Sequence, residues 1–302
     1  MKRILIVGSG DVALRALPWL TRRFRVHALV RQPEAAAALR AAGAIPIVGD
    51  LDDRRSLRRL AGLADAVLHF APPPSSGEGD PRTRRLLAAL GCGKSLPQGL
   101  IYISTTGVYG DCGGDWVSET RPARASTARA RRRVDAETRL RRFGCRTGVR
   151  VAILRAPGIY AADRLPLERL RRADPVLVAA EDVHTNHIHA EDLARIACLA
   201  LLRAAAGRVY NASDDSGLRM GDYFDAVADA FDLPRPERLT RAQIATRLSP
   251  LTLSFMSESR RLDNRRLKRE LRLRLTYPTV AEGLRAARAE AAAKNHISSL
   301  ES

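Results

Sequence analysis

The sequence lacks the features that mark secreted, membrane-spanning and metal-stapled proteins. It contains four cysteines in 302 residues and no CxxC pair, which argues against a disulfide framework and a zinc site. No apolar run approaches the roughly 18 residues that a membrane-spanning helix needs. The chain opens directly into a predicted strand, with no signal-peptide pattern before it. We therefore expect a cytoplasmic protein that has no membrane partner.

Lysine and aromatic residues are also scarce, although the chain is strongly basic. Four of the 51 basic residues are lysines, so arginine supplies most of the formal net charge of +18. A basic surface can bind nucleic acid, but aromatic residues that would stack on bases make up only 5% of the chain and do not interrupt its arginine runs. We expect solvated arginine faces and no specific nucleic-acid partner.

The most informative stretch is Ile4–Leu20. Branched apolar residues predict a buried strand, Gly8-Ser9-Gly10 predicts a tight turn, and apolar residues at helical spacing follow. With Ala13, the two glycines form the GxGxxA pattern, in which the first glycine makes the turn and the second lets the backbone approach a pyrophosphate. The next helix would present free N–H groups to the phosphates. The stretch therefore predicts dinucleotide binding.

Predicted strands and helices alternate along the chain. The strands are Ile4–Val7, Val26–Val30, Ala44–Val48, Ala66–Phe70, Leu100–Ser104, Arg150–Leu154 and Val209–Ala212. Helices predicted between the early strands include Ala35–Ala42, Arg54–Leu60 and Pro81–Leu90. This alternation predicts a parallel sheet with helices on both faces.

The second predicted strand runs into Arg31. Dinucleotide folds that prefer NAD usually place an acidic residue here to bind the ribose hydroxyls, whereas an arginine accommodates the 2′-phosphate of NADP. We therefore favour NADP as the cofactor, with NAD as the alternative. A plain surface arginine is the competing interpretation in so arginine-rich a chain.

Six short motifs follow one another over the first two thirds of the chain. They are GSGDVA from Gly8, GDL from Gly49, HFA from His69, STTGVYG from Ser104, LRAPGIY from Leu154 and IHAEDL from Ile188. In this order the sequence resembles the extended short-chain dehydrogenase/reductases, the NAD-dependent epimerase/dehydratase group. The resemblance implies a Rossmann-type doubly wound parallel sheet in residues 1–157. It also implies a small, mostly helical substrate lobe in residues 158–302, interleaved with returning strands and helices.

The resemblance also gives roles to individual residues. Thr105 would hydrogen-bond the reacting oxygen of the substrate. The predicted cofactor-binding residues combine the glycine turn, Arg31 and the positions that the resemblance implies. They are Gly8, Ser9, Gly10, Asp11, Val12, Arg31, Asp50, Leu51, Ala71, Pro72, Ser104, Arg133, Pro157, Gly158 and Ile159. Asp50 has a competing structural role as the cap of a turn.

An expected catalytic pair is missing. The family carries an acid/base tyrosine and, four positions later, a lysine that lowers the pKa of the tyrosine, but no tyrosine occurs between Tyr109 and Tyr160. Alignment on Glu137 places Arg129 at the tyrosine position and Arg133 at the lysine position. Arg133 could still hold a ribose, whereas Arg129 has no proton to exchange near neutral pH. The sequence thus resembles atypical members that have lost the tyrosine.

Three explanations of this loss stay open. Another group could supply the acid/base function, the candidates being Tyr109, Tyr160, His184 and His187, or the substrate could need only hydride and a hydrogen bond from Thr105. Arg129 could recognise an anionic substrate with its forked donors. The protein could also bind NADP without turnover, as a redox sensor or partner module. We favour an NADP-dependent oxidoreductase or epimerase/dehydratase-like enzyme, with Thr105, Tyr109, Arg129 and Arg133 as candidate catalytic residues and a small molecule, anionic in one of these explanations, as substrate.

The second half carries three histidines near the expected substrate pocket. His184, His187 and His189 look like a metal cluster, but on a strand His184 would not share the face of the other two, so we predict no metal site. Thr185-Asn186 stands where nucleotide-sugar relatives often carry an Arg-Asp pair, which weakens a nucleotide-sugar substrate.

Two further expectations concern the substrate pocket and the oligomeric state. Arg260 or Arg261 could project into the substrate pocket, as basic residues do in relatives that bind anions. The resemblance alone implies a homodimer formed through the helices that follow the fourth and fifth strands.

Overall fold

The computed structural model describes residues 2–300, with side chains for 2–250 and 252–293. Its strands are β1 (Arg3–Val7), β2 (Arg25–Val30), β3 (Ile45–Val48), β4 (Ala66–His69), β5 (Gly99–Thr105), β6 (Trp116–Val117), β7 (Arg150–Ala156), β8 (Gly158–Tyr160), β9 (Val176–Leu177), β10 (His187–His189), β11 (Arg208–Asn211), β12 (Arg238–Leu239) and β13 (Arg261–Leu262). Its helices are α1 (Asp11–Thr21), α2 (Ala36–Ala41), α3 (Pro81–Gly91), α4 (Ala128–Thr147), α5 (Leu167–Arg171), α6 (Ala190–Arg203), α7 (Met220–Ala230), α8 (Arg241–Ala245), α9 (Pro250–Phe255), α10 (Arg265–Leu271) and α11 (Val280–Leu300).

Seven strands form one sheet in the order β3-β2-β1-β4-β5-β7-β11, and every neighbouring pair is parallel. Parallel neighbours require crossover connections, which the helices supply on both faces. The Rossmann-type doubly wound sheet predicted from the sequence is confirmed. One predicted helix differs, because Arg55–Leu60 is a 3-10 turn rather than an α-helix.

Two apolar layers hold the sheet between its helices. On one face α1 and α6 pack together and bury Leu17 and Ile196 completely. On the other face α3 and α4 bury Leu86 and Leu140. Each such side chain stabilises the fold by about 2 kcal/mol. The carboxyl edge of the sheet, where the predicted site residues lie, is therefore rigidly supported.

The C-terminal lobe has an apolar cluster of its own, in which Tyr160, Phe224 and Leu284 join β8, α7 and α11. The short parallel pairs β8 with β10 and β9 with β12 lie within this region, and the pair of β6 with β13 ties it to the loop after β5. Because α6 and β11 return to the main sheet, the two regions interleave. Within residues 2–300, no helix combines the length and apolarity needed to cross a bilayer.

Candidate active site

The turn after β1 requires glycine at its first position. Gly8 has a φ of +98°, in the left-handed region that favours glycine. A Cβ built on it would lie 2.3 Å from the backbone nitrogen of Ala71, at the end of β4. Ser9 stabilises the turn, since its hydroxyl donates to the carbonyl of Leu29 at 2.6 Å. The first glycine of the motif therefore has the structural role that the sequence predicted.

The second glycine opens the start of α1 to a ligand. Gly10 is the N-cap of α1 and provides no side-chain cap, and a Cβ placed on it would meet no atom within 4 Å. The start of α1, where free N–H groups and the positive dipole end favour a phosphate, therefore has no side chain covering it at Gly10. Asp11 adds a carboxylate here, but Arg15 at 2.7 Å and Arg164 at 3.0 Å pair with it.

A groove of about 470 Å³ runs from this turn along the carboxyl ends of β1 to β4. We call it the cofactor groove. Eight of the predicted cofactor-binding residues line it, namely Gly8, Ser9, Gly10, Arg31, Asp50, Leu51, Ala71 and Pro72. Asp50 also has the structural role considered above, because its carboxylate accepts the N–H of Asp52 at 2.8 Å.

Other predicted cofactor residues lie elsewhere. The side chains of Val12 and Ile159 pack against the apolar core, and Ser104 is buried. None of the three lines the cofactor groove or the cleft described below. Their side chains do not line either cavity, so their roles in cofactor binding stay predictions, and the backbone of Asp11 and Val12 lies in the first turn of α1.

One end of the cofactor groove is basic. Arg31 is exposed and, within the described part of the chain, forms no hydrogen bond or ion pair. Arg82, which the sequence reasoning missed, also lines the groove. Its guanidinium donates to Asp52 at 3.0 Å, and this hydrogen bond lowers the pKa of the Asp52 carboxyl. Arg31 is thus the free cation at this end.

A second cavity, of about 340 Å³, opens where β5 and β7 end, and we call it the cleft. Thr105 is the last residue of β5 and is paired with Ala156 of β7, which places it beside Pro157-Gly158. The hydroxyl of Thr105 accepts the N–H of Gly107 at 3.3 Å. The other lining residues are Thr106, Gly107, Arg129, His184, Thr185, Asn186, Met220, Ser254, Phe255, Glu258 and Arg260.

The two arginines at the positions of the missing pair behave differently. Arg129 lines the cleft, with its guanidinium carbon 4.2 Å from the centre of the Phe255 ring. Arg133 turns toward β5 and donates from one nitrogen to the carbonyl of Ile103 at 2.7 Å and the hydroxyl of Tyr102 at 3.0 Å. Ribose binding by the remaining donors of Arg133 stays a prediction.

A family model described as NAD(P)H-binding matches residues 8–203, more than half of the 302 residues. The chain belongs to this NAD(P)H-binding family. The matched region contains all of the cofactor groove and the part of the cleft contributed by Thr105 and Arg129. It ends at the last residue of α6, before the segment that supplies Phe255, Glu258 and Arg260.

Several known proteins are similar to this chain over most of its length. An uncharacterized protein of Schizosaccharomyces pombe is 27% identical over 251 residues, which are 77% of this chain and 81% of that protein. A structure of a conserved protein of unknown function from Silicibacter pomeroyi DSS is 29% identical, with a TM-score of 0.79 over 96% of this chain and 99% of that one. The UDP-glucose 4-epimerase of Thermotoga maritima, solved with UDP-glucose, shares the fold at 17% identity and a TM-score of 0.77, over 95% and 97% of the two chains. The family model shows NAD(P)H binding, and the epimerase structure shows that the fold is shared.

Three of the four substitutes considered for the family tyrosine are buried away from the cleft. Tyr109 is 1% exposed, and its hydroxyl donates to Asn211 at 2.7 Å. The Tyr160 hydroxyl donates to the carbonyl of Thr279. His187 is buried and stacked on a tyrosine, and burial lowers its pKa to about 3. The structure therefore does not bring the Tyr109 hydroxyl to the cleft, and a catalytic role for Tyr109 stays a prediction without support from the geometry.

His184 is the substitute that does line the cleft. Its backbone N–H donates to the hydroxyl of Ser259 at 3.0 Å, which fixes the residue against the segment before β13. Burial lowers the pKa of its imidazole, and the charges of Arg261 and Arg219 act in the same direction. This lowering of the pKa favours the neutral form of the ring. Among the described residues, no group of three or more His, Cys, Asp or Glu is arranged to hold a metal ion.

The segment before β13 supplies cleft residues that the sequence reasoning missed. Glu258 accepts the hydroxyl of Ser126 at 2.6 Å and pairs with Arg260 at 2.8 Å. Arg260 lines the cleft as expected, whereas Arg261 lies over the Trp116 ring and lines another cavity. The sequence around Glu258 does not predict its position, because the pairing of β13 with β6 is what brings this segment to the cleft.

Proposed function

We propose that the protein is an NADP-dependent oxidoreductase whose small substrate carries a carboxylate or phosphate group. The observation that supports this most strongly is that Thr105, Arg129 and Arg260 line one cleft beside Pro157-Gly158. A hydrogen-bond partner for the reacting oxygen and two cations therefore border one small space. Among the described residues, no tyrosine lines this cleft, so the enzyme would be an atypical member of the extended short-chain dehydrogenase/reductases.

The charges around the cleft favour an anionic substrate. Arg129 and Arg260 contribute two positive charges and Glu258 one negative charge, and the pair formed by Glu258 and Arg260 is the close one. Arg129 rests on the Phe255 ring, a contact that leaves its N–H donors available. A guanidinium with a free fork binds a carboxylate or phosphate through two parallel hydrogen bonds.

Of the four substitutes considered for the tyrosine, His184 is the one that lines the cleft, so the proton transfer is assigned to it. As a neutral imidazole it can take the proton of a substrate hydroxyl while Thr105 holds the oxygen by a hydrogen bond. When bound in the cofactor groove, NADP would supply the hydride acceptor for this oxidation. In the reverse direction the protonated His184 would return the proton to the carbonyl oxygen. Arg129 would not exchange a proton but would orient the substrate through its anionic group.

The choice of NADP is supported by the basic end of the cofactor groove. Arg31 is the free cation there, whereas Arg82 is paired with Asp52. Arginine binds a phosphate well and offers little to a pair of ribose hydroxyls. No acidic residue follows β2 at this point, since Arg31 is succeeded by Gln32.

One observation favours a second candidate function, an NADP(H) binder that does not turn over. The guanidinium at the lysine position, Arg133, is engaged with the carbonyl of Ile103 and the hydroxyl of Tyr102. A cation held in this way is less able to orient the ribose next to the cleft. The protein would then report the redox state of the NADP pool to a partner.

The test uses purified protein, NADPH and a panel of small aldehydes and ketones in matched pairs, with and without a carboxylate. We expect NADPH oxidation with members of the carboxylate set. For the responsive substrate, Arg129→Ala should raise KM by at least about tenfold and leave the NADPH affinity unchanged. Arg131→Ala is the matched control, because Arg131 lies on the same helix but outside the cleft.

The outcomes separate the two functions. NADPH binding without oxidation by any carbonyl compound would favour the sensor. Equal turnover of substrates with and without the carboxylate, unchanged in Arg129→Ala, would reject the proposal of an anionic substrate. His184→Gln should lower kcat and remove a pH-dependent limb of the rate while NADPH affinity is kept, so full activity in this variant would reject His184.

A further inference from the structure

A groove of about 530 Å³ lies on the face of the molecule formed by α3 and α4. We call it the arginine groove. Arg84, Arg139, Arg142 and Arg146 form its rim, and the largely buried Leu87 and Phe143 form its floor. Leu96, which is 37% exposed, lies along its edge. The groove therefore offers apolar surface flanked by positive charge.

The positive charge of this groove is largely uncompensated. Among its described lining residues none is acidic. Arg139 pairs with Asp135 at 2.8 Å, whereas Arg84, Arg142 and Arg146 form no ion pair within the described part of the chain. An adjoining groove, which shares Ala88 and Cys92 with the first, adds Arg54, Arg55 and Arg58 and again has no acidic lining residue.

Two occupants are disfavoured on physical grounds. A twofold homodimer through α3 and α4 would bring the same arginines of two copies together, and like charges in an interface are repulsive. Single-stranded nucleic acid is held largely by bases that stack on exposed aromatic rings, but Phe143, the aromatic residue that lines this groove, is 3% exposed. Apolar side chains between two helices suit an apolar helix face rather than a phosphate backbone.

We propose that the arginine groove binds an acidic amphipathic segment of a partner protein. The apolar face of such a segment would lie on Leu87, Phe143 and Leu96, and its carboxylates would pair with Arg84, Arg142 and Arg146. This assignment rests on charge complementarity together with the apolar floor. It is independent of the reaction proposed for the cleft.

The test measures binding of two fluorescent 15-residue peptides of identical Leu/Glu composition, one with its leucines on a single helical face and one shuffled. Fluorescence anisotropy at physiological salt should show the ordered peptide binding at least about tenfold tighter than the shuffled one. Arg142→Glu/Arg146→Glu should weaken the ordered peptide by at least about tenfold. Leu96→Ser should weaken it more modestly, by removing apolar contact without changing charge.

The matched control is Arg22→Glu/Arg23→Glu, two exposed positions at the end of α1 with the same change in net charge. It should leave peptide affinity unchanged, and both double variants should bind NADPH as the parent does. Equal binding of the two peptides, or equal loss in both double variants, would reduce the effect to general electrostatics and overturn the proposal. So would a dimer in light scattering that Arg142→Glu/Arg146→Glu dissociates, or a 20-base-pair DNA duplex that displaces the peptide at physiological salt.

Discussion

The cofactor groove takes its lining residues from Gly8 to Arg82, whereas the cleft collects its own from Thr105 to Arg260. The first depends on backbone shape, namely the left-handed Gly8 and the open space at Gly10. The second depends on charged side chains carried by α4 and by the segment before β13. The cofactor groove is thus centred on a short local motif, whereas the cleft is assembled from side chains that lie far apart in the chain.

The largest effect is expected where the cleft is anchored to the sheet. α4, which carries Arg129, is fixed by Glu137, whose carboxylate accepts two hydrogen bonds from Arg155 of β7 at 2.7 and 3.0 Å. Both side chains are buried, so Glu137→Leu would leave a buried, unpaired cation. The free energy of unfolding in urea should fall by about 3–5 kcal/mol.

Arg141 provides the control for this experiment, since it pairs with the same carboxylate from an exposed position. Arg141→Ala should change the free energy of unfolding by no more than about 1 kcal/mol. A similar loss in both variants would mean that the exposed pair of Glu137 with Arg141 stabilises the fold as much as the buried pair with Arg155.

The contrast between the two sites also explains what the sequence could predict. Local patterns were sufficient for the seven-stranded sheet and for the glycine turn, because strand periodicity and left-handed glycine are properties of consecutive residues. Arg31 was found because it directly follows β2. Arg82 was not, because it reaches the cofactor groove from the first turn of α3.

Prediction was weaker for the cleft because side-chain direction is set by distant contacts. Tyr109 belongs to a recognisable motif, yet its hydroxyl packs on Asn211, about a hundred residues away in the chain. Glu258 reaches the cleft through Ser126 and through the pairing of β13 with β6. His184 was one of four candidates, and burial of the other three is what separates them.

Loss of the open space at Gly10 should damage the cofactor groove and leave the cleft intact. The isopropyl group of Gly10→Val would occupy the space that faces the start of α1. NADPH affinity, measured by fluorescence titration, should fall by more than about a hundredfold, or about 2.7 kcal/mol. Gly217→Val is the matched control, because Gly217 also has open space around its Cβ position but lines neither the groove nor the cleft. Unchanged NADPH binding by Gly10→Val would remove the turn from the cofactor site.

Acidification should lower the free energy of unfolding through two buried histidines, one in the main sheet and one in the C-terminal lobe. Burial lowers the pKa of His69 in β4 and of His187 in β10 to about 3, whereas an unfolded histidine titrates near pH 6.5. Between these values the unfolded chain binds more protons, so the free energy of unfolding falls as the pH falls from about 6.5 toward 3. Each histidine should cost about 2 kcal/mol by pH 5.

Urea titrations at pH 7 and pH 5 measure this loss. His187→Phe, which preserves a ring against Tyr223, should remove about 2 kcal/mol of the difference between the two pH values. His69→Gln should likewise remove about 2 kcal/mol of the difference between the two pH values. A pH dependence that neither variant reduces would show that carboxylates, rather than these histidines, set the acid sensitivity of the fold.

The smallest effect is expected at Arg31, where the comparison of the two sites can be made without any substrate. Arg31→Asp should weaken NADPH by about tenfold relative to NADH, or about 1.4 kcal/mol, because it replaces the free cation of the cofactor groove by a carboxylate. 2′-AMP carries the distinguishing phosphate but no nicotinamide, so its affinity should fall to the same extent while that of 5′-AMP should change little. Arg40→Asp, an exposed position of α2 with the same charge change, controls for the general field. The contrary outcome is that Arg31→Asp weakens the binding of 5′-AMP and 2′-AMP equally. Arg31 would then act only through the overall electrostatic field of the protein, and NADP selectivity would have to come from another group such as Arg82.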